Sequence, residues 1–501
     1  TTLARRARWL REMAAHVLAF PWPLQGHINP MLHLASALLD AGLRVTFLHT
    51  EHNLRRFTRV PPHHPRLRLA SIPDGLPDHH PRSVGGLMEL VESMRTAGSA
   101  AYRALLLRMM DSDDDDAVTC VITDGVMPFA VSVAEELGVP ALAFRTESAC
   151  GFLAYLSVPR LLELGEKPVP SDELVRGVPG MEGFLRRRDL PRVVPLPLPP
   201  GPGNGDPVPV LLTIADTAAR CGESRALILN TAASMEGPAL SRIAPHVRDV
   251  FAVGPLHARP AARHAAEHVS RSSDDMSLSA WLDGHEDRSV VYVNLGSLTI
   301  VSSEQLAEFL HGLVAAGYAF LAVFRQDMLH QMAAAAASAS KASVALREAV
   351  EAVAGAGSER ALVVEWALQR DAHHVLRHRA VGCFLTHGGW NSTLEAAVEG
   401  VPAVCWPFFA DQQTNSRFVG AVWRTGLDMK DVCQRAVVER MVREAMESPE
   451  IRASAQSMSR QLRLDVAHGG SSSSELERLV GLITELSLSA VKIPSPAPAL
   501  T

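Results

Sequence analysis

The sequence predicts an α/β chain built as two doubly wound halves, each a parallel β-sheet with helices on both faces. Three observations carry this. From residue 16 onward, short apolar runs of strand length alternate with segments of helical period, the pattern of a parallel sheet wrapped by helices. The cycle restarts after Gly254. Between the two cycles, Pro255–Asp275 turns polar, with scattered His, Arg and Ser, which suits an interdomain linker.

His16–Phe20 reads as the first strand, followed by a turn over Pro21–Asn29 and a helix from about Pro30 to Ala41. Met31, Leu32, Ala35, Leu38 and Leu39 share one face of that helix, and Gly42 fits its C-terminal cap. Arg44–His49, Ala117–Thr123, Ala141–Phe144 and Arg225–Asn230 continue the series. In the second half, Ser289–Leu295 reads as a strand ending in Gly296-Ser297, and Leu306, Phe309, Leu310, Leu313 and Val314 mark the helix after it. Phe320–Phe324, Leu362–Glu365, Gly382–Leu385 and Ala403–Trp406 follow as strands. The Pro/Gly loop Leu196–Pro209, the Ala-rich stretch Met332–Ala354 and the Pro-rich tail from Ile493 look peripheral. Composition leaves the middle one open between a helix and a loose insertion. The expected division is an extension over 1–12 before a natural start at Met13, a first domain over 13–255, and a linker over 256–277. A second domain covers 278–465, a helix over 466–487 returns to the first domain, and 488–501 is a tail.

The 501 residues are 47% hydrophobic and 20% charged, with a formal net charge of −6. No basic excess is available for neutralising phosphates, so nucleic acid is an unsuitable partner. Six cysteines without paired spacing read as reduced thiols, and no apolar run approaches the ~20 residues of a membrane span. There is no P-loop, no G-x-G-x-x-G after a strand, no G-x-S-x-G elbow and no H-E-x-x-H. His374 and His378 are spaced i, i+4 but have no evident third ligand. They read as a solvated basic face with Arg377 and Arg379, and no metal is expected.

The segment WALQRDAHHVLRHRAVGCFLTHGGWNSTLEAAVEGVPAVCWPFFADQ, Trp366 to Gln412, is different. A strand feeds the turn Thr386-His387-Gly388-Gly389, and a helix opens near Asn391. Glycines allow close backbone approach, and a helix N-terminus presents free N–H groups and a positive dipole. His387, Asn391 and Ser392 add donors at the same spot, which makes it an anion site, most naturally for phosphate. Glu395, one turn along, suits sugar hydroxyls, and Trp366 and Trp390 offer ring faces for a base or a sugar. A core βαβ unit with two structural tryptophans is the alternative.

This stretch resembles the secondary-product glycosyltransferase box of the plant family 1, UDP-sugar-dependent glycosyltransferases. Its surroundings agree from near residue 14 to about 485: FPWPLQGHINP near the start, TDGVMPFA midway, NTAASME before the linker and YVNLGS opening the second half. The last two thirds of TDGVMPFAVSVAEELGVPALAFRTESACGF are similar to the branch that glucosylates cyanohydrins, iridoids and related terpenoid alcohols. The resemblance implies the GT-B fold, two Rossmann-like domains facing across a cleft, with acceptor bound by the first and UDP-sugar by the second. It implies that Trp366 stacks on uracil, the Ala367 backbone pairs with its edge, and Gln369 and Glu395 hold ribose. His387, Gly389, Asn391 and Ser392, helped by Ser297, would hold the diphosphate, and Trp390, Asp411 and Gln412 the sugar. Gln412 at the final box position favours UDP-glucose. Thr146 resembles a position that contacts the sugar 6-hydroxyl. Leu368 stands where the family has Pro, extra residues lie between Gln369 and Val375, Arg145 replaces a common aromatic, and Ala322 replaces a common Trp.

Glucosyl transfer needs a base for the acceptor hydroxyl. His27 follows the first strand and precedes the first helix, at the mouth of the crevice that such sheets use. An imidazole at a helix N-terminus stays neutral and can accept a proton. Asp124, after the strand Ala117–Thr123, can bond the far ring nitrogen and fix its tautomer. The resemblance supports this His–Asp pair and implies one inverting displacement giving a β-glucoside, with the helix near Asn391 supplying the charge stabilisation a metal would otherwise give. Met88, Phe152, Met181 and Phe184 suggest an apolar acceptor lining. The Asn391-Ser392-Thr393 sequon would place a glycan on the phosphate site, which disfavours secretory passage and points to the cytoplasm. The expected enzyme is a monomeric UDP-glucose-dependent O-glucosyltransferase for a small lipophilic alcohol or phenol. Another UDP-sugar, a glycoside acceptor, or a catalytically silent UDP-sugar-binding protein remain alternatives.

Overall fold

The computed structural model describes residues 15–56, 64–82, 84–111, 117–193, 208–259, 273–335, 340–365 and 375–490. Expectations for residues 1–12, most of the linker, most of the Leu196–Pro209 loop, the tail, and Trp366, Ala367, Leu368, Gln369 and His374 lie outside the described residues. The chain divides into two compact units. The first comprises 1–146, 213–269 and 465–501, and the second 147–212 and 270–464. The division expected from the sequence had kept 147–212 in the first half.

The first unit is built on β1 (His16–Phe20), β2 (Arg44–Thr50), β3 (Leu67–Ile72), β4 (Cys120–Asp124), β5 (Ala141–Arg145), β6 (Leu227–Leu229) and β7 (Val250–Ala252). Their order is β3-β2-β1-β4-β5-β6-β7, and every pairing is parallel. β1, β4 and β5 are buried along their whole length, as strands covered on both faces must be. On one face, Met31, Leu34 and Leu38 of the Gln25–Asp40 helix pack with Leu476, Leu479 and Ile483 of the Ser471–Ala490 helix. On the other, Phe20, Tyr102, Leu106 and Val131 form a second core.

The second unit holds β8 (Val290–Asn294), β9 (Ala319–Phe324), β10 (Ala361–Glu365), β11 (Val381–Thr386), β12 (Ala403–Cys405) and β13 (Gly426–Asp428). Their order is β10-β9-β8-β11-β12-β13, again all parallel. The Ser303–Ala316 helix buries Leu306, Phe309, Leu310 and Leu313 against this sheet. It starts on a Ser302/Gln305 capping box and ends at Gly317, whose φ is +82°. The Ala-rich stretch resolves into helices: Gln326–Ala334, and Lys341–Gly355 with Leu346, Ala349 and Val353 buried.

The first helix corrects the sequence reading. It begins at Gln25, not near Pro30, because the extended Leu24 offers its carbonyl to the N–H groups of both His27 and Ile28. Pro30 is accommodated inside the helix, where its missing N–H is a loss confined to the first two turns. His27 therefore lies within the first turn rather than before it.

In each sheet the strand order reverses once, between β1 and β4 and between β8 and β11. The crevice outside the carboxyl ends of such a strand pair is where open α/β sheets bind ligands.

Candidate active site

At the first reversal, the residues after β1 and at the end of β4 meet. His27 Nδ1 lies 2.7 Å from Asp124 Oδ2, with the imidazole 24% exposed and the carboxylate fully buried. Asp124 also accepts from the Val126 N–H at 3.1 Å and, more weakly, from the Trp22 N–H at 3.4 Å. Burial, the largest single influence, pushes the Asp124 carboxyl up, yet His27, the Val126 N–H and the Arg145 guanidinium together hold it below the usual carboxylate range. An ionised Asp124 accepts the Nδ1 proton of His27 and leaves the lone pair on Nε2.

Thr146, expected beside the sugar, brings its Oγ1 to 3.0 Å from His27 Nδ1. Arg145, the last residue of β5, is buried, and its methylenes run beneath Gly125, where a Cβ would lie 2.3 Å from Cδ. The strand end thus carries a cation in the place where an aromatic was expected, next to the Asp124 segment.

At the second reversal, Ser297 follows β8 and His387 follows β11. The His387 ring fills the space over two glycines: a Cβ on Gly296 would lie 2.6 Å from its Cε1, and one on Gly389 2.4 Å from its Nε2. Burial pulls His387 down to about 4, opposed by a hydrogen bond to the Asn294 backbone. Near neutral pH it is an uncharged imidazole that offers a hydrogen bond and no net charge.

Gly388, with φ +73°, turns the chain into the Trp390–Glu399 helix. Gly389 is that helix's N-cap and supplies no side-chain capping bond, and the positive end of the helix dipole lies at this turn. Asn391 and Ser392 are half-buried in that turn, and Glu395 is half-buried one turn along. Trp390 is 3% exposed and packs 6.2 Å from the Trp423 ring.

Asp411 and Gln412 are both buried and firmly held. Asp411 Oδ2 accepts from Ser148 N at 3.2 Å and Asn415 Nδ2 at 2.9 Å. Burial first, then the neighbouring Glu147, pushes its carboxyl up to about 6. Gln412 Oε1 accepts from the N–H groups of Phe408 and Phe409 at 2.9 and 3.2 Å, so its amide nitrogen is the end that can donate to a sugar hydroxyl. Ser148 and Asn415 were missed in the sequence, although both left a signal. Ser148 is a helix N-cap type just before Ala149–Leu156, and Asn415 lies one helical turn after Asp411.

The four residues expected to line an acceptor pocket fall in both units. Met88 is 45% exposed on the Leu87–Ser93 helix of the first unit. Phe152 and Met181 are buried in the second unit, and Phe184 makes an edge contact with Phe418 at 5.3 Å. Among the described residues there is no group of three metal-ligating side chains, and no helix is long and apolar enough to cross a membrane.

Known proteins resemble this chain in sequence and in fold. Residues 241–461 match the family model described as UDP-glucoronosyl and UDP-glucosyl transferase. Myricetin 3-O-rhamnoside 1,2-glucosyltransferase of Crocosmia x crocosmiiflora is 41% identical, over 96% of this chain and 98% of that protein. The 7-deoxyloganetic acid glucosyltransferase of Catharanthus roseus is 40% identical, over 95% and 98%. Among solved structures, Os79 from O. sativa, crystallised in complex with a trichothecene, superposes with a TM-score of 0.74 at 29% identity, covering 93% of this chain and 100% of that one. The chain belongs to the plant family 1 UDP-dependent glycosyltransferases, enzymes of the GT-B fold.

Proposed function

We propose that this enzyme is an inverting UDP-glucose-dependent O-glucosyltransferase that acts on a small lipophilic alcohol or phenol and releases a β-glucoside and UDP. The observation that carries the reading is the 2.7 Å His27–Asp124 pair at a topological reversal of the first sheet. With Nδ1 committed to Asp124, Nε2 takes the acceptor's hydroxyl proton as its oxygen attacks the anomeric carbon. The bond from that carbon to the diphosphate breaks on the opposite face, and configuration inverts. Asp124 stabilises the imidazolium that forms. Developing negative charge on the diphosphate is met by the first-turn N–H groups of the Trp390–Glu399 helix, with Asn391, Ser392 and Ser297 beside it. Gln412, by the direction of its amide, donates to the glucosyl group.

The relatives support two acceptor classes. The 7-deoxyloganetic acid enzyme favours a terpenoid aglycone and the trichothecene complex agrees with it. The myricetin 3-O-rhamnoside enzyme favours a glycoside whose sugar is extended. Donor binding is assigned to the second unit and proton abstraction to the first, with the acceptor candidates Phe152, Met181 and Phe184 in the second unit and Met88 in the first, in a monomeric cytoplasmic protein that needs no metal. The sequon at Asn391 fits that compartment, since Thr393 is buried with its hydroxyl bonded to Gly389 O at 3.1 Å.

The test is UDP release from UDP-glucose with a panel of iridoid and other terpenoid alcohols, cyanohydrins, phenols and flavonol rhamnosides. Acceptor-dependent release is expected, and His27→Ala should lower kcat at least about a hundredfold while UDP still binds. Undiminished turnover in that variant would remove His27 as the base. UDP binding without turnover on any acceptor would favour a silent binding protein.

A further inference from the structure

Arg325 follows β9 directly and stands at the N-cap of the Gln326–Ala334 helix without capping it. Its guanidinium instead reaches back to the loop after the neighbouring strand β8, where Nη1 donates to Ser297 O at 2.8 Å. Nε donates to Asp327 Oδ1 at 2.9 Å, and Nη2 pairs with the other oxygen of that carboxylate. Such a two-point Arg–carboxylate fork fixes the plane of the guanidinium. The Arg325 side chain is 17% exposed and that of Asp327 54%, so the guanidinium is the shielded end of the fork and the carboxylate lies at the surface. Burial acts to raise the Asp327 carboxyl, but Arg325 outweighs it and keeps the partner ionised.

The loop that Arg325 holds is also pinned from its other side. Asn294 Oδ1 accepts from Gly296 N at 2.9 Å, and the His387 ring lies against Gly296. Only the Ser297 peptide then has a carbonyl whose direction depends on Arg325. Ser297 O belongs to the Ser297–Leu298 peptide, so without that bond this peptide is free to rotate, and the Ser297 Cα and hydroxyl shift with it.

We propose that Arg325 is a positioning residue for the UDP-sugar. Through the Ser297 carbonyl it sets the Gly296-Ser297 turn at the diphosphate site, while Asp327 holds the guanidinium in the orientation that does so. The assignment rests on the UDP-sugar reading above.

The experiment is titration of UDP into wild-type protein and the variants Arg325→Met, Arg325→Lys and Asp327→Asn, with steady-state kinetics on each. Loss of a charge-assisted bond should weaken UDP binding and raise the KM for UDP-glucose about tenfold in Arg325→Met. The acceptor KM at saturating donor should stay constant. Arg325→Lys should recover part of the loss, since an ammonium can still reach Ser297 O, and Asp327→Asn should shift the same parameters by less. The proposal is overturned if a folded Arg325→Met protein binds UDP like wild type, or if donor and acceptor KM rise together. Should the Met variant not fold, unchanged UDP affinity in both Arg325→Lys and Asp327→Asn overturns it equally. Wild-type protein that fails to bind UDP would instead remove the UDP-sugar reading itself.

Discussion

Two buried aspartates, one in each unit, show how neighbours decide whether the push of burial on a carboxyl prevails. Asp124 and Asp411 are 0% and 7% exposed, and burial raises both carboxyls. Asp124 faces His27 and lies near Arg145, and it ends below the ordinary range; Asp411 has Glu147 beside it and ends at about 6. The first is a carboxylate that folding favours. The second is ionised at neutral pH against the preference of the fold, a cost of the kind that collects at functional sites. Because the folded carboxyl of Asp411 lies above its unfolded value of 3.8, its stabilising contribution is complete below about pH 4 and is lost as pH rises through about 6. Asp411→Asn keeps an oxygen for Ser148 N and never ionises. We expect its unfolding free energy to match wild type near pH 4 and to exceed it by about 2 kcal/mol at pH 7.5. Thermal unfolding of both proteins across that range checks this, and a difference independent of pH would refute it. Donor affinity should fall in the same variant, since the strained carboxylate is what the sugar is expected to meet.

At the scale of elements, the central strands and the turn chemistry were legible in the sequence, and of the four edge strands described only β10 was. β1, β4, β5, β8, β9, β11 and β12 announce themselves as apolar runs because both faces are covered. β3, β7 and β13 were missed. They lie at sheet edges, β7 and β13 are three residues long, and β3 is buried only at its last residue, Ile72. The start of the Gln25–Asp40 helix was hidden by Pro30, whose breaking tendency outweighed a start signal that is only a backbone carbonyl. His27, Asp124, Ser297 and His387 stand out in the sequence because each lies at a strand end beside a distinctive turn. Arg325 could not be found that way, since its role depends on reaching a neighbouring strand's loop. The glycines around His387 serve two different needs, and this is testable. Gly389 has φ −62°, open to any residue, so only the ring forbids its Cβ; Gly296 has φ +75°, and both ring and backbone oppose one. Gly389→Ala should cost about 1–3 kcal/mol in wild type and little when combined with His387→Ala. Gly296→Ala should keep a cost of about 1 kcal/mol in either background. A double-mutant cycle by denaturant unfolding separates the two, and equal coupling at both glycines would contradict the assignment.

For the whole molecule, the most consequential difference from a simple two-halves reading is that residues 147–212 belong to the second unit. The physical reason is a charge cluster that no sequence pattern advertises, because its members are far apart in the chain. Asp189 is fully buried and pairs with Arg186 at 2.8 Å and Lys430 at 2.9 Å. Lys430 also reaches Asp428 at 3.3 Å and donates to Gln413 O at 2.6 Å. Thr414 donates to Asp189 O at 2.8 Å, Arg417 donates to Phe184 O, and Arg192 and Ala410 exchange backbone bonds. The Glu147–Arg192 stretch is thereby fastened to Ala410–Arg417, the segment that carries Asp411 and Gln412. Parts that the resemblance assigned to acceptor and donor thus share one compact unit. Lys430 is the hub, 3% exposed and bonded to two carboxylates and a carbonyl. Lys430→Met leaves Asp189 and Asp428 without that cation, a loss of about 3–5 kcal/mol by the usual behaviour of broken buried pairs. Hydrogen exchange should then speed up over both 171–192 and 411–417, while β1, β4 and β5 of the first unit keep their protection. Faster exchange in only one of the two segments would show that they are held independently, and the acceptor-side stretch would have to be treated as a separate element.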